Sequence, residues 1–438
     1  MAFVLEKKLK NVMTLGYLMK LDKKVPHNLA RIKRRQNKKV HELMKAAYEV
    51  PFYRERFDAN GLTPDDFHSS EDLAKFPVTT RADLRLWMQK EYEDHPEMHD
   101  RWDVLSTSGS SGVPLKFLQT QRESACVNAN WIRVLMFAGY HPFTGKMFSF
   151  ETSHKHVDAK KGDSWVQKLG ILRRRVVPEN NCVGEGIRDV INDLNAYEPD
   201  LVCFRRNCLV RMALYAKNNG MTIRQPKIYT PVSEMVDDMT RKLLTETFGP
   251  GLMDAYGSSE TGSCIIQLPG KKLYYVCNDT HVVNIYDDNG NLADDGNVII
   301  TTLFKKDFPI INYEIGDRAT SVTKKGVRYI KSIQGRVNDL VRHENGVESS
   351  ALFLMKIPNG ITGIAQFRFI QTSYHDMQIQ LVKDPMNDAH TTEEIEAFFQ
   401  EKMEELYGQE FTLHFDWMEV IPPDENGKMR CFACRVSK

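Results

Sequence analysis

Short apolar segments that alternate with helical stretches are the feature that most restricts how this chain can fold. Residues 146–150, 201–204 and 227–230 are short apolar runs typical of buried strands, and helical patterns at 186–197 and 209–218 separate them. Strands that alternate with helices pair mainly in parallel within one sheet. The sequence therefore predicts an α/β fold.

The pattern changes toward the C-terminus. A β-rich stretch follows residue 270, with turn signals at Asp288-Asn289-Gly290 and Asp295-Gly296. The last hundred residues predict a small module with two strands, a helix and a further strand, which could hold a core of its own. The predicted strands lie at 273–276, 281–286, 297–303, 367–371, 377–382 and 411–420, and the predicted helix at 392–407.

Composition and charge exclude several classes of protein. The 438 residues carry 59 Lys plus Arg against 58 Asp plus Glu, a net charge of +1, whereas nucleic-acid binders usually carry a strongly basic face. We therefore expect no nucleic-acid partner. No run of 18 apolar residues predicts a transmembrane helix, and residues 1–10 lack the pattern of a secretory signal. Eight cysteines are too few for a disulfide scaffold, so we expect a cytoplasmic protein with reduced thiols.

A basic run precedes the first strongly periodic helix. Six cations crowd into residues 31–39, before the apolar positions Val40, Leu43, Met44 and Ala47. A solvated helix face is the favoured interpretation, and a patch for an anionic partner or a membrane surface is the alternative.

A serine- and glycine-rich segment at residues 106–114 is the first candidate binding site. Glycines let backbone N–H groups approach an anion, and hydroxyl groups add further donors. The segment lacks the Gly-Lys-Ser/Thr ending of a Walker P-loop. Its composition is that of a phosphate-binding loop, and a surface linker is the alternative.

The second candidate is the segment 254–262, Asp-Ala-Tyr-Gly-Ser-Ser-Glu-Thr-Gly. Its aromatic ring could stack on a base, and its carboxylate could hold Mg²⁺ beside phosphate oxygens. A tight turn with a helix-capping Ser-Glu pair is the alternative.

The two segments and four later motifs together resemble the adenylate-forming (AMP-forming) ligase superfamily. Residues 107–114 are similar to its Thr-Ser-Gly-Ser/Thr-Thr-Gly-x-Pro loop, and residues 256–260 to its Tyr-Gly-x-Thr/Ser-Glu segment. The four further matches are Ser233-Glu234, Tyr313-Glu314-Ile315-Gly316-Asp317, Gly335-Arg336-Val337-Asn338-Asp339 and Asn426-Gly427-Lys428-Met429-Arg430. The six motifs stand in the family's order.

The N-terminal motifs resemble one branch of the superfamily. Residues 51–57, 73–77 and 81–84 are similar to the start of phenylacetate–CoA ligases and their capsule-biosynthesis relatives. The chain departs from the branch at Asn312, where Arg is frequent, and at Asn338, where the hinge residue is Asp. It also lacks the branch's Gly-Pro-Gly-rich continuation after Glu260, so the resemblance does not specify the acid.

The resemblance implies a fold and a reaction. We expect a large multi-subdomain N-terminal domain at residues 1–336 and a small mobile α+β domain at 337–438. The implied reaction consumes ATP, with Mg²⁺, to turn a carboxylic acid into an acyl adenylate and passes the acyl group to coenzyme A. An amine or a sugar acceptor in envelope polysaccharide synthesis and a catalytically inactive nucleotide-binding relative are the alternatives, and a homodimer stays open.

The resemblance also implies the roles of individual residues. Lys428 would contact the carboxylate and the α-phosphate, Glu260 would hold Mg²⁺, and Asn338 would form the hinge. The implied ATP- or AMP-binding residues are Thr107, Ser108, Gly109, Ser110, Ser111, Gly112, Ser233, Glu234, Asp254, Ala255, Tyr256, Gly257, Ser258, Ser259, Asp317 and Arg336.

A metal site other than that of Mg²⁺ has weaker support. Cys264, Cys277 and His281 fall within eighteen residues, but a structural zinc site needs four ligands. Ordinary buried or partly exposed thiols are the favoured interpretation.

Overall fold

The computed structural model describes residues 2–23, 28–106, 116–151, 169–171, 173–182, 184–336, 340–351, 353–385, 389–424 and 429–436. Two compact units form: the first joins Met1–Ala138 to Ala255–Gln334, and the second joins Gly139–Asp254 to Gly335–Lys438. The expectation that 1–336 and 337–438 are separate domains stays a prediction. None of the described helices is long and apolar enough to cross a membrane.

Helices form where an apolar stripe is framed by capping residues. The α-helices are α1 (Ala2–Lys20), α2 (Leu29–Tyr48), α3 (Pro51–Ala59), α4 (Arg81–Asp94), α5 (Gln121–Phe137), α6 (Gly186–Tyr197), α7 (Arg206–Asn218), α8 (Asp238–Phe248) and α9 (Thr392–Tyr407). Short 3₁₀ turns lie at Pro64–Asp66, Glu71–Lys75, Pro96–Met98, Glu179–Asn181 and Leu354–Gly360. Capping boxes begin α4, α5 and α9, as at Thr120, whose hydroxyl accepts from the N–H of Glu123.

The strands are numbered in chain order. They are β1 (Trp102–Ser106), β2 (Lys116–Thr120), β3 (Lys146–Glu151), β4 (Arg173–Pro178), β5 (Leu201–Arg205), β6 (Ile228–Val232), β7 (Asp254–Ser258), β8 (Gly262–Gln267), β9 (Tyr274–Val276), β10 (His281–Tyr286), β11 (Asp295–Thr302), β12 (Tyr313–Lys324), β13 (Val327–Arg336), β14 (Leu340–Arg342), β15 (Glu348–Ser350), β16 (Ile364–Gln371), β17 (Asp376–Lys383), β18 (Thr412–Trp417) and β19 (Phe432–Cys434). Each strand and helix predicted above is confirmed, with both ends within three residues of the prediction.

The first unit contains a hairpin and a seven-stranded sheet. Strands β1 and β2 pair antiparallel, and the sheet has the order β10-β11-β12-β13-β9-β8-β7. One apolar core packs the N-terminal helices around Tyr53, Phe57 and Trp87, and a second covers the sheet.

The second unit contains the parallel sheet that the alternating pattern predicts. Its order is β4-β3-β5-β6, and its neighbours pair in parallel. Residues 335–438 add a four-stranded sheet, β18-β17-β16-β19, with α9 over its own core. Ile421 and Met429, which flank residues 422–428, are buried in the same core as Phe204 and Tyr229. The predicted α/β class is confirmed.

The basic run on α2 is partly neutralised by carboxylates. Arg31 and Arg35 both pair with Asp22, and Lys33 Nζ lies 2.7 Å from a carboxylate oxygen of Glu71. This pairing favours the solvated helix face over an anion-binding patch.

Candidate functional site

Three parts of the predicted site lie outside the described residues: the loop at Thr107–Gly112, Asn338 and Lys428. The side chain of Arg336 is likewise not described. The two ends of the loop are nonetheless fixed, because Ser106 pairs with Lys116 at the loop end of the β1–β2 hairpin.

Two predicted site residues that are far apart in the sequence meet in the first unit. Tyr256 lies on β7 and Asp317 on β12, and the Tyr256 hydroxyl donates a 2.6 Å hydrogen bond to Asp317 Oδ2. Both side chains belong to the motifs for which the resemblance implies nucleotide contacts. The structure therefore brings these two motifs to one place.

The turn between β7 and β8 carries the predicted metal ligand. Ser258 and Thr261 close this turn, since the Ser258 N–H donates to Thr261 Oγ1 at 3.2 Å and the Thr261 N–H donates to Ser258 Oγ at 3.3 Å. Gly257 is required here, because a Cβ would lie 2.0 Å from the carbonyl oxygen of Gly262. The alternative of a helix-capping pair is wrong, because the strand β8 follows the turn.

Glu260 is buried among polar groups to which the sequence analysis assigned no role. Its side chain is 2% exposed; Arg81 donates to its Oε1 at 3.1 Å, and the Tyr313 hydroxyl donates to the same oxygen at 3.4 Å. Arg81 is the first residue of α4 and follows Thr79, whose backbone bridges to Tyr313. This bridge brings Arg81 to Glu260.

Lys305 is a second buried cation in the same region that sequence reasoning missed. Its ammonium group is fully buried, 4.0 Å from the centre of the Phe117 ring and 3.3 Å from Gln119 Oε1, both on β2. Burial lowers the pKa of Lys305 to about 8, and the carboxylates of Glu123 and Glu260 oppose this shift. The only signal in the sequence is a charged pair within the apolar run that ends at Ile311.

Asn312, where the resembled branch often has Arg, holds two segments together. Its backbone is left-handed (φ 46°), a conformation that Asn tolerates better than most residues. Its side-chain amide donates to the carbonyl oxygens of Leu73 at 2.6 Å and Phe76 at 2.8 Å. Asn312, at which the chain departs from the resembled branch, therefore makes a structural contact.

Ala255 and Ser259 also lie in the first unit, whereas three further predicted site residues lie in the second unit. Ser233 and Glu234 form the turn between β6 and α8, and Ser233 has a left-handed backbone (φ 72°) that a serine rarely adopts. Glu234 Oε2 lies 4.0 Å from the guanidinium of Arg206. Asp254 accepts a hydrogen bond from Arg241 at 3.2 Å.

The cysteines and the histidine weighed as a metal site are engaged by protein groups. Cys264 Sγ contacts the carbonyl oxygen of Tyr256 at 3.5 Å, and burial raises the pKa of Cys277 to about 11. His281 Nε2 bonds to the carbonyl of Thr261 at 2.9 Å and Nδ1 to the hydroxyl of Thr280 at 2.9 Å, and burial lowers its pKa to about 4. Within the described ranges, no group of three or more Cys, His, Asp or Glu side chains is arranged to hold a metal.

Sequence comparison finds a family and several known proteins that are similar to this chain. The CapK C-terminal domain family matches residues 340–433. The phenylacetate-coenzyme A ligase of Escherichia coli K12 is 26% identical over 345 residues, which are 70% of this chain and 71% of that protein. The same-named enzyme of Aromatoleum evansii is 28% identical over 67% of this chain and 68% of its own length.

Solved structures show the same fold. A 2-hydroxyisobutyryl-CoA ligase in the postadenylation state, in complex with R3-HIB-AMP, matches with a TM-score of 0.72 at 16% identity, covering 93% of this chain and 90% of that one. An anthranilate CoA ligase in complex with anthranoyl-AMP matches with a TM-score of 0.53 at 13% identity, covering 74% and 64%. The chain is thus similar in sequence to the phenylacetate-coenzyme A ligases, has the fold of the CoA ligases named above, and matches the CapK C-terminal domain family over residues 340–433.

Proposed function

We propose that this protein is an AMP-forming acyl-CoA ligase. It would activate a carboxylic acid with ATP, release pyrophosphate, and pass the acyl group from AMP to coenzyme A. The observation that carries the proposal is the 2.6 Å hydrogen bond between Tyr256 and Asp317, which unites two nucleotide motifs 61 residues apart. The relatives named as phenylacetate-coenzyme A ligases support the class of reaction, and the acid itself stays open.

The described residues fit a magnesium site of the kind that uses substrate phosphates. Mg²⁺ typically takes one or two protein carboxylates and completes its shell with phosphate oxygens and water. Glu260, a buried carboxylate whose Oε1 pairs with Arg81, would supply such a ligand. Bound there with ATP, the ion would neutralise phosphate charge.

The chain's own residues would do the rest by position and charge. In the first step a carboxylate oxygen attacks the α-phosphorus and the bond to pyrophosphate breaks, so negative charge builds on phosphate oxygens. Donors fixed at those oxygens lower the barrier most. In this proposal Thr107–Gly112 bind the β- and γ-phosphates, and Tyr256 and Glu234 border adenine. Asp317 and Arg336 hold the ribose, and Lys428 contacts the carboxylate and α-phosphate.

The second step would use a different orientation of the small domain. Residues 337–438, with Asn338 as the hinge, would turn so that Lys428 leaves and the thiol of coenzyme A attacks the acyl carbon, releasing AMP. Limited proteolysis without ligand is expected to cut first near 335–346, where Glu344, Asn345 and Gly346 form an exposed turn. Cutting spread evenly along the chain would argue against this hinge.

An amine or sugar acceptor is the second candidate. The CapK C-terminal domain match covers residues 340–433, the region that would face the acceptor in the second step. A nucleotide-binding relative without catalysis is the third candidate. A cytoplasmic location and a homodimer belong to the proposal, and the mass in solution tests the latter.

Pyrophosphate release with a panel of carboxylic acids separates the three candidates. Pyrophosphate release together with thioester formation in the presence of coenzyme A supports the acyl-CoA ligase. Pyrophosphate release with an acyl adenylate that accumulates even when coenzyme A is present supports another acceptor. ATP binding without pyrophosphate release supports the inactive relative. Glu260→Gln is expected to weaken Mg²⁺-dependent exchange. The control is Glu71→Gln, an exposed carboxylate paired with Lys33, which should leave exchange unchanged.

Lys428→Ala tests the proposed division of labour between the two steps. Loss of one charge-stabilising contact should slow adenylate formation by about a hundredfold or more. Transfer from a supplied acyl adenylate to coenzyme A should change much less, because the small domain has then turned away. Equal loss of both steps, or of neither, would assign Lys428 another role.

A further inference from the structure

A fully enclosed arginine lies beneath the turn that carries Ser233 and Glu234. Arg206 is 2% exposed, and it begins α7 directly after β5. Strands β5 and β6 are parallel neighbours, with Arg205 opposite Val232. Arg206 and Ser233 therefore leave the carboxyl edge of the sheet side by side, which is where ligands bind in open α/β sheets.

The guanidinium holds both ends of the loop between β6 and α8. At the far end it donates to Asp237 Oδ2 at 2.6 Å and to Thr240 Oγ1 at 2.8 Å. At the near end its NH1 lies 4.0 Å from Glu234 Oε2, in a pocket where both side chains are at least 95% buried. A buried arginine with two carboxylates fixes geometry strongly, because either partner left alone would be an uncompensated charge.

The loop needs such a restraint because its first residue is strained. Ser233 has φ 72°, and the left-handed conformation of a residue with a Cβ persists only where surrounding contacts impose it. Without the pull of Arg206 on Glu234 and Asp237, the backbone at Ser233 can relax and the turn can shift.

The same arginine also faces the segment that follows Lys428. Cys431 lies within electrostatic range of Arg206, Asp237 and Glu234, and burial raises the pKa of its thiol to about 11, so the thiol stays neutral. Charged and titratable groups on the loop and on the C-terminal segment thus converge on one guanidinium.

We propose that Arg206 is a positioning residue that holds the Ser233–Glu234 turn in its strained shape and thereby sets the protein's affinity for the adenine half of ATP. This inference rests on the proposed function, in which that turn borders adenine. Arg206 itself would not touch the nucleotide. Its removal should weaken the binding of ATP but not that of pyrophosphate, which engages the phosphate side alone.

The test measures the KM for ATP and the KM for pyrophosphate in the exchange reaction of Arg206→Gln. We expect the KM for ATP to rise at least tenfold, with the KM for pyrophosphate within twofold of the parent. Asp237→Asn, which keeps a side chain able to cap α8, should give a smaller change of the same kind. Asp237→Asn provides the test if the Arg206→Gln protein does not fold.

A second substitution separates positioning from general destabilisation. Ser233→Gly removes the penalty for a left-handed backbone, so in the Arg206→Gln background it should recover at least half of the lost affinity for ATP. Glu198→Gly is the matched control, since Glu198 in the same unit has φ 54° and should recover none. Equal rises of both KM values, or equal recovery by both glycines, would overturn the proposal. A parent protein without exchange for any acid would instead remove the proposed function, and ATP binding measured by calorimetry would then decide the role of Arg206.

Discussion

Replacing Lys305 by Met should change how the stability of the first unit depends on pH. Burial lowers the pKa of Lys305 from an ordinary 10.5 to about 8 in the folded protein. Between these two values the unfolded chain holds a proton that the folded protein has released. The free energy of unfolding therefore rises with pH in this window through Lys305, and Lys305→Met removes that rise.

The size of the effect follows from the shift. Each pH unit between 8 and 10.5 contributes about 1.4 kcal/mol, so raising the pH from 8 to 9.5 should stabilise the parent over Lys305→Met by about 2 kcal/mol. The first unit has about 220 residues, for which 2 kcal/mol corresponds to a Tm change of about 4–8 °C. Buried thiols such as Cys277, whose pKa is raised to about 11, destabilise both proteins as the pH rises, so they cancel in the difference.

Thermal unfolding of both proteins at pH 7, 8, 9 and 9.5 without nucleotide measures this difference. Lys306→Met is the matched control, because Lys306 is half-exposed and pairs with Glu42 at the surface. A Tm gap that stays constant from pH 7 to 9.5 would refute the reasoning. If the Tm of the parent falls relative to that of Lys305→Met as the pH rises, attraction by Glu123 and Glu260 outweighs the effect of burial on the pKa of Lys305.

Three further substitutions test other contacts. Tyr256→Phe removes the hydrogen bond to the Asp317 carboxylate and should raise the KM for ATP about tenfold in pyrophosphate exchange, because hydrogen bonds to charged groups contribute about 1.5–3 kcal/mol. An unchanged KM for ATP would remove this pair of residues from the nucleotide site. Arg133→Met leaves the buried carboxylate of Asp279 without its arginine partner and should lower the free energy of unfolding in urea by about 3–5 kcal/mol. Replacing both residues by apolar ones should recover most of that loss. Asn312→Ala removes two amide donors and a residue suited to φ 46°, and a drop of less than 1 °C in Tm would contradict its structural role.

Periodicity in the sequence was enough to predict several of the regular elements of the fold. His281–Tyr286 and Thr392–Tyr407 begin and end as predicted, because an apolar stripe and a capping residue are local signals. The long ribbon β12–β13 was not predicted as strands. In β12, half-buried and polar residues alternate from Tyr313 to Lys324, and the strand has no continuous apolar run like those that predicted the other strands.

The surroundings of the site could not be predicted from local pattern. Tyr256, Glu260 and Asp317 were predicted from their motifs. The sequence near Lys305 offers only a charged pair in an apolar run, and nothing near Arg206 indicates that its charge is buried. Burial of a charge depends on partners that lie far along the chain, as Gln119 is from Lys305. The strained backbone of Ser233 likewise has no signature, since serine is common in ordinary turns.

The discontinuous second unit has a consequence for how the protein is made. The core around Phe204 and Tyr229 is completed by Ile421 and Met429. At synthesis rates of about 5–20 residues per second, the segment that ends at Asp254 waits about 10–35 s for those side chains. Its unfinished apolar surface is therefore exposed on the ribosome for that time, and a chain that stops before residue 421 would leave it permanently open to aggregation or to a chaperone.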